Sequence, residues 1–229
     1  MSLAVGPIRQ PLRPGKGPRS FLVERKIFAQ TRPMDIQGCE IADVKLITPK
    51  QFVDARGSFS EIWSDRRFRR EVENVAFVQD NLSLSRLKGT VRGLHFQRPP
   101  FAQAKLVRVL RGSIFDIAVD IRRGSPSYGR HVAVTLKAAS GTQLWVPIGF
   151  LHGFCTLEDE TEVCYKVSEY YSPAHDAGVL WNDPALKIEW PVSPDAVILS
   201  YKDQRHPMLS ELPGLFAYEE SSSGAVSKP

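Results

Sequence analysis

Apolar and polar residues alternate along short segments of this chain, and glycine or proline separates most of these segments from the next. An alternation of period two is typical of a strand with one buried face. Eight segments have this alternation or a short β-rich run: 43–48, 58–63, 75–84, 114–121, 131–136, 143–146, 150–157 and 162–171. Helical periodicity is confined to 64–72 and, more weakly, 202–211. The pattern predicts an all-β sandwich or barrel with a few short peripheral helices.

The stretch 89–105 combines a strand pattern with titratable side chains. Gly93, His95 and Gln97 alternate and should therefore share one strand face. A Pro-Pro pair then ends the strand, since proline cannot donate to the ladder, and an apolar-rich strand resumes at Lys105. A histidine on a strand beside a lysine is a plausible proton-transfer pair. A core histidine with satisfied hydrogen bonds, next to surface cations, explains the same pattern equally well.

The formal charge of +5 comes from the first 33 residues. Seven of the 30 basic residues and one of the 25 acidic residues lie there, which leaves 23 basic and 24 acidic residues in the rest. The predicted folded part therefore carries a charge of −1. A nucleic-acid-binding domain would cluster its basic residues on a structured face, so we expect no nucleic-acid partner.

Domain boundaries follow from the same patterning. Residues 1–33 are rich in proline and glycine, and we expect a disordered extension, with Met34 as the natural start of the chain. A single domain over 34–216 and a frayed serine- and glutamate-rich tail over 217–229 complete the expected organisation. The three cysteines lack metal or disulfide spacing, and no apolar run reaches membrane-spanning length. We therefore expect a cytoplasmic protein that contacts no membrane.

A glycine–proline–glycine–histidine spacing from Gly141 to His152 resembles the second signature of the cupin superfamily, the small jelly-roll barrels. In metal-binding members of that superfamily, the first signature supplies the metal ligands as His-x-His and a later glutamate. The corresponding place here reads His95-Phe96-Gln97, with no glutamate at the expected distance. A zinc or iron site needs at least three good ligands, and we therefore expect no bound metal and no cofactor.

Seven further motifs occur in order between residues 40 and 205. They are Phe52-x-Asp-x-Arg-Gly-x-Phe-x-Glu61, Gln79-Asp-Asn-x-Ser83, Val91-Arg-Gly-Leu-His-Phe-Gln97, Gln103-x-Lys-Leu-Val107, Pro147-x-Gly-x-x-His-Gly-Phe154, Tyr165-Lys with Tyr170-Tyr171, and Trp181-Asn-Asp-Pro184. Together they closely resemble the dTDP-4-dehydrorhamnose 3,5-epimerase family. The resemblance implies a cupin-type jelly roll that epimerises a nucleotide-linked 4-keto-6-deoxyhexose.

The chemistry of that reaction needs few groups. The C4 carbonyl acidifies the C3 and C5 protons, and inversion needs a base, an acid on the opposite face and a cation at the enolate oxygen. By the resemblance, His95 is the base, Tyr165 the acid and Lys105 the enolate partner. Asp183 would orient the imidazole and stabilise its charged form. The sequence without the resemblance would indicate structural roles for these residues. Asp183 would be a turn residue before a proline, Tyr165 an aromatic that fills the barrel, and Lys105 a solvated lysine on a strand.

The resemblance also implies a set of substrate contacts. Guanidinium groups suit diphosphate, an aromatic ring can stack on thymine, and polar side chains can bind the base and sugar. The set is Arg56, Phe59, Glu61, Gln79, Asn81, Arg92, His152 and Tyr171. In the family, the segment that carries Arg56, Phe59 and Glu61 crosses to a second subunit, so we expect a homodimer with an exchanged N-terminal strand. Surface charge and hairpin packing are the alternative explanation for these residues.

Three other functions are compatible with the sequence in different degrees. A mono-epimerase of the same family, acting at C3 or C5 only, would use the same base. A metal-dependent cupin isomerase or oxygenase is more remote, because His-x-His is missing. A sugar-nucleotide-binding module would need Arg56, Arg92 and Tyr171 but not His95, Asp183 and Tyr165 together. Of these functions, the family resemblance favours epimerisation at C3 and C5 of dTDP-4-dehydro-6-deoxy-D-glucose, in dTDP-L-rhamnose biosynthesis.

Overall fold

The computed structural model describes residues 34–219, and strands dominate this range. The strands are β1 (Met34–Gly38), β2 (Lys45–Pro49), β3 (Phe52–Asp54), β4 (Gly57–Phe59), β5 (Gln79–Ser85), β6 (Val91–Gln97), β7 (Lys105–Arg111), β8 (Ser113–Asp120), β9 (Arg122–Arg123), β10 (His131–Lys137), β11 (Gln143–Val146), β12 (Phe150–Thr156), β13 (Thr161–Val167), β14 (Asp176–Gly178) and β15 (Phe216–Ala217). The helix α1 spans Asp65–Glu71, as its periodicity predicts. Short 3-10 helices span Ala138–Ser140, Pro184–Leu186, Asp203–Arg205 and Leu209–Glu211.

Two antiparallel sheets form the body of the fold. One has six strands in the order β1-β2-β11-β7-β13-β5, and the other has five in the order β10-β8-β12-β6-β14. Sequence neighbours such as β6 and β7 lie in different sheets, which is the connectivity of a jelly roll. The expected all-β, cupin-type jelly roll is confirmed.

The interior between the sheets is apolar and closely packed. Val107, Leu144 and Val163 come from the six-stranded sheet, and Ile114 and Phe154 come from the five-stranded sheet. Each of these side chains is buried, so the hydrophobic effect holds the two sheets together.

The outer face of the six-stranded sheet is covered by α1 and the segments that flank it. Phe68 of α1 is fully buried, and its ring centroid lies 5.2 Å from that of Trp145 on β11. Trp63 and Phe77 also pack on the Phe68 ring, with centroid distances of 5.1 and 5.2 Å. Offset and edge-on aromatic contacts of this kind stabilise the arrangement beyond their buried area.

The C-terminal part of the chain covers the outer face of the five-stranded sheet. Leu186 and Leu209 are buried there against Leu94, Ile117 and Leu151. The segment that follows Val197 returns to β6, where the Val91 N–H donates to the Ile198 carbonyl at 2.9 Å. This return brings the 3-10 helix Asp203–Arg205 beside the centre of β6.

Strand β6 approaches β12 closely next to this point. Gly93 has φ of 136°, and a Cβ there would lie 2.5 Å from the Gly153 Cα. Only glycine tolerates both the left-handed backbone and this separation. The register between the strands shifts between His152 and Phe154, and His95 faces His152 across the pair.

Some elements differ from their predicted form. The weak helical period at 202–211 gives two 3-10 helices, because Pro207 between them cannot continue a helix. The strand predicted over 75–84 begins only at Gln79. Ala217, which we assigned to the frayed tail, lies in β15 and pairs with Arg123 of β9, and the Tyr218 N–H donates to the Arg123 carbonyl at 2.8 Å.

The expectations for residues 1–33, and for 220–229 of the tail, lie outside the described residues. The single domain over 34–216 therefore stays a prediction at its outer boundaries. Within residues 34–219, no helix is long and apolar enough to cross a bilayer.

Candidate active site

A cavity of about 410 Å³ lies where both sheets meet the C-terminal segment. Its lining includes Arg92, His95, Lys105, His152, Tyr165, Lys202 and Asp203. A smaller cavity of about 210 Å³ adjoins it and shares His95, Lys105, Tyr165 and Lys202 with it. Eight of the twelve predicted site residues line at least one of the two cavities: Gln79, Asn81, Arg92, His95, Lys105, His152, Tyr165 and Tyr171.

His95 is held by a carboxylate that the sequence interpretation did not identify. Its Nε2 lies 2.7 Å from Oδ1 of Asp203, and the Asp203 side chain is only 5% exposed. Burial would raise the pKa of Asp203, but the adjacent imidazoles of His206 and His95 hold this pKa well below its usual range. The ionised carboxylate accepts from Nε2–H, which fixes the tautomer and leaves Nδ1 with the lone pair.

The burial of His95 also favours its role as a base, because it stabilises the neutral imidazole. Burial lowers the pKa of His95 below its ordinary value, although the Asp203 carboxylate counters this effect. The nearby Lys105 cation lowers the pKa further. A neutral imidazole with a lone pair on Nδ1 is the form that can accept a proton.

Asp183, which we expected to orient His95, lies elsewhere and has another role. Its Oδ1 accepts from the Ala185 N–H at 2.9 Å, and its Oδ2 accepts from the Leu209 N–H at 2.7 Å. It is buried, caps the 3-10 helix Pro184–Leu186 and does not line either cavity. The expectation that Asp183 partners His95 is therefore corrected, and the turn-forming alternative describes this residue.

Lys105 starts β7 on the sheet that faces His95. Its Nζ donates to the His95 carbonyl at 3.5 Å, and the side chain borders both cavities. Burial lowers the pKa of Lys105 to about 8, while the carboxylates of Asp176 and Asp116 partly oppose that shift. A poorly solvated cation of this kind interacts strongly with negative charge that develops beside it.

Tyr165 lies on β13, the neighbour of β7 in the six-stranded sheet. It borders both cavities, and burial raises the pKa of its phenol above the ordinary value. The hydroxyl therefore keeps its proton at neutral pH and can donate it. His95 and Tyr165 belong to opposite sheets, so the two groups reach the cavity from facing walls.

His152 forms a second histidine–carboxylate pair. Its Nε2 lies 2.7 Å from Oδ1 of Asp116, and both side chains are buried. Oδ2 of Asp116 has no hydrogen-bond partner among the described residues. The pair fixes the orientation of the His152 ring in the wall of the larger cavity.

The smaller cavity holds three predicted contacts and two residues that we missed. Alternation along β5 turns Gln79 and Asn81 inward, where the Gln79 amide donates to the Asn81 Oδ1 at 2.8 Å. The Tyr171 hydroxyl donates to Oδ2 of Asp176 at 3.0 Å. Asp176 also accepts from the Lys202 ammonium, and Lys202 lines both cavities.

Arg92 lines the larger cavity, where its guanidinium donates to Ser85 Oγ and to the Leu84 carbonyl, both at 3.1 Å. By contrast, this chain does not bring Arg56, Phe59 or Glu61 to either cavity. Arg56 pairs with Asp54 at 2.6 Å within its own exposed hairpin. Glu61 pairs with Arg67 at 2.5 Å, and the side chain of Phe59 is exposed.

The residues at the cupin metal position do not fit a metal. The Gln97 amide donates to the Phe101 and Tyr170 carbonyls, and its Oε1 accepts from the Ser172 N–H at 2.7 Å. His152 is engaged by Asp116 through Nε2. The side chains that would have to turn toward an ion are thus already committed to protein partners, and we derive no step through a metal there.

Comparison with known proteins adds independent findings. A family model described as dTDP-4-dehydrorhamnose 3,5-epimerase matches residues 38–211. The chain is 54% identical over 185 residues to a dTDP-4-dehydrorhamnose 3,5-epimerase of Sinorhizobium fredii, covering 81% of this chain and 94% of that protein. It is also 40% identical over 181 residues to a dTDP-4-dehydrorhamnose 3-epimerase of Streptomyces niveus, covering 79% and 84%.

A solved structure has the same architecture. The crystal structure of a dTDP-6-deoxy-D-glucose-3,5-epimerase from Legionella pneumophila, in complex with dTDP-4-keto-L-rhamnose, superposes with a TM-score of 0.77 at 40% identity. The match covers 82% of this chain and all of the Legionella chain. Similarity in sequence and in fold thus extends over nearly the whole described range.

Proposed function

The chain belongs to the dTDP-4-dehydrorhamnose 3,5-epimerase family, and from this premise we propose how its side chains perform an epimerisation. The substrate is dTDP-4-dehydro-6-deoxy-D-glucose, and the product is dTDP-4-dehydro-L-rhamnose, an intermediate for dTDP-L-rhamnose. The observation that carries the proposal is the placement of a neutral histidine and a protonated tyrosine on facing sheets of one cavity. Inversion at carbon needs a base and an acid on opposite faces.

His95 removes the proton at C3 or C5 through Nδ1. The imidazolium that forms keeps its Nε2–H on Asp203, whose negative charge stabilises it. Electrons from the broken C–H bond move into an enolate, with the negative charge on the C4 oxygen. Lys105 pairs with that oxygen, and a partner of this type typically contributes about 3 kcal/mol to lowering the barrier. Tyr165 then donates its proton to the carbon from the other face.

The nucleotide half of the substrate is proposed to lie in the two adjoining cavities and their rims. Arg92 is the cationic candidate for the diphosphate. Gln79, Asn81 and Tyr171 offer hydrogen bonds and an aromatic surface in the smaller cavity. His152, held by Asp116, offers a fixed imidazole to the sugar end.

We also propose that the active unit is a homodimer. The outward face of the edge strand β5 exposes Leu82 and Leu84, and the hairpin β3–β4 exposes Val53 and Phe59. An edge strand with apolar side chains is a typical site for pairing with another chain. A partner's hairpin on this edge would bring its Arg56 close to the cavities that this chain's own Arg56 does not reach.

A cytoplasmic location also stays a proposal. It is supported by the three cysteines, Cys39, Cys155 and Cys164, each of which is a free thiol. Free thiols persist in a reducing compartment.

Proton NMR of the reaction in heavy water tests the proposed function. The enzyme should place deuterium at both C3 and C5 of the keto sugar and invert both centres. Exchange at only one carbon would assign the chain to the mono-epimerases, such as the Streptomyces niveus relative. Absence of exchange at both carbons, with folded protein and intact substrate, would refute the proposal.

A further inference from the structure

Behind the histidine–carboxylate pair lies a second histidine for which the proposed reaction has no use. The side chain of His206 is 8% exposed, and its Nε2 is 3.6 Å from Oδ1 of Asp203. That distance is too long for a hydrogen bond, and Nε2 has no other partner among the described residues. Burying a ring nitrogen without a partner costs free energy.

The backbone around His206 is built closely against this nitrogen. A Cβ on Gly178 would lie 2.6 Å from Nε2 of His206 and 2.5 Å from the Leu94 carbonyl. Gly178 pairs with His95 across β14 and β6, so the missing side chain leaves room for the second imidazole beside the first. The two rings are 5.5 Å apart and nearly perpendicular.

We propose that His95, Asp203 and His206 form an inhibitory binding site for a divalent transition metal of the zinc type. One donor atom from each of the three lies within 4.8 Å of the other two. No other group of this kind occurs in residues 34–219. Two imidazoles and one carboxylate form a donor set that zinc accepts, with a fourth position left for water.

The separations are close to those that a metal requires. Zinc–ligand bonds of about 2.0–2.2 Å in a tetrahedron put donor atoms about 3.3 Å apart. Asp203 Oδ1 is 2.7 Å from Nε2 of His95 and 3.6 Å from Nε2 of His206, so one distance is shorter and the other longer than that value. An ion can enter from the larger cavity, which His95 and Asp203 line, and His206, which lies behind them, would be its third ligand.

Metal binding would inhibit because it competes for the same nitrogen. This step rests on the proposed function. When Nε2 of His95 binds the metal, the proton of the neutral ring must reside on Nδ1. Nδ1 then has no lone pair for the substrate proton, and the Asp203 carboxylate binds the ion in place of the His95 N–H. The site is thus a control on the reaction and not a part of it.

Metal binding itself can be measured without substrate. Protein freed of metal is titrated with Zn²⁺ against a chromophoric chelator, and with Co²⁺ for its visible spectrum. Wild type should bind one ion per chain, with a tetrahedral Co²⁺ spectrum that lacks a thiolate band. His206→Gln should weaken binding by about 10–100-fold or more. His131→Gln, which removes a histidine from β10 outside the site, should leave the affinity unchanged.

A second arm measures inhibition as the ratio of rates with and without Zn²⁺ for each variant. Wild type should be inhibited and should recover with chelator, while His206→Gln should need at least tenfold more Zn²⁺. Equal affinity in wild type and His206→Gln, or a thiolate band, would overturn the site. Binding without inhibition would overturn the competition for His95. Melting curves identify a misfolded His206→Gln, in which case His206→Asn takes its place. If the wild type proves inactive, the proposed function fails while the binding result stands.

Discussion

Asp203 and Asp183 are both buried carboxylates of the C-terminal segment, yet their partners differ in kind. Asp203 faces an imidazole, and Asp183 accepts two backbone N–H groups. Asp203→Asn should lower the rate of exchange by about 10²–10⁴-fold with the fold retained, because an amide favours the wrong tautomer of His95. Asp183→Asn should keep the rate per folded molecule and lose about 1–3 kcal/mol of unfolding free energy.

Rates and urea unfolding curves of the two variants make the comparison. A large loss of rate in folded Asp183→Asn, with little loss in Asp203→Asn, would reverse the assignment. The contrast is informative because both substitutions exchange the same atoms at similar depth.

We expect Lys105 to determine the alkaline limit of activity. Its pKa is lowered to about 8, so the ammonium that we propose to pair with the enolate is present below that pH and lost above it. The kcat/KM for epimerisation should therefore fall as pH rises through about 8. The Tyr165 phenol cannot cause this limb, because its pKa is raised above the ordinary value of about 10. The acid limb should lie below about 6.5, since the pKa of His95 is lowered.

A pH profile of kcat/KM for wild type and Lys105→Arg tests this origin. Guanidinium keeps its charge throughout the accessible range, so the residual activity of Lys105→Arg should lack the limb near pH 8. Persistence of the same limb in that variant would assign it to another group.

Local sequence was sufficient for some site residues and insufficient for others. His95, Lys105 and Tyr165 sit in strands whose alternation and motifs point them inward. Asp203 is 108 positions from His95, in a segment whose weak period matched a helix that Pro207 prevents. Only the return of the chain along β6 puts it there, and no pattern in the sequence reports that contact. The Trp-Asn-Asp-Pro motif of the family resemblance pointed instead to Asp183.

At the scale of elements, α1 was predictable from its period and owes its position to one side chain. Phe68 packs on Trp145, Trp63 and Phe77. Phe68→Ala should cost about 3–5 kcal/mol, since it removes a buried aromatic and leaves a cavity. Arg66→Ala on the exposed side of the same helix is the control and should change stability little.

Urea unfolding at one protein concentration measures both variants. A loss below about 1 kcal/mol in Phe68→Ala would mean that α1 does not depend on this contact. Phe68 packs on the outer face of the six-stranded sheet and lines neither cavity, so the rate per folded molecule should stay close to that of wild type.

At the scale of the whole molecule, the proposed dimer makes each site depend on two chains. His95→Asn and Arg56→Ala are then defective in different subunits of the same site. Mixing the two variants, with unfolding and refolding to exchange subunits, should restore roughly a quarter of wild-type activity. Half of the randomly formed dimers are mixed, and one of the two sites in each is intact.

Two controls accompany the mixing experiment. Leu82→Asp on the exposed edge of β5 should give monomers in sedimentation equilibrium, whereas Ile148→Asp at another exposed position should stay dimeric. Activity that does not return on mixing, although mixed dimers form, would contradict a site shared between subunits.

We propose that His95 is the base for both carbons and that Tyr165 is the acid on the opposite face. Proton NMR in heavy water, with wild type, His95→Asn and Tyr165→Phe in parallel, tests it most directly. His95→Asn should lose exchange at C3 and C5 together. Tyr165→Phe should keep exchange, because His95 can return a deuteron to the face it acted on, and should form little product inverted at C5. Exchange at either carbon in His95→Asn would contradict the role of His95, and inversion of C5 at the wild-type rate in Tyr165→Phe would contradict that of Tyr165.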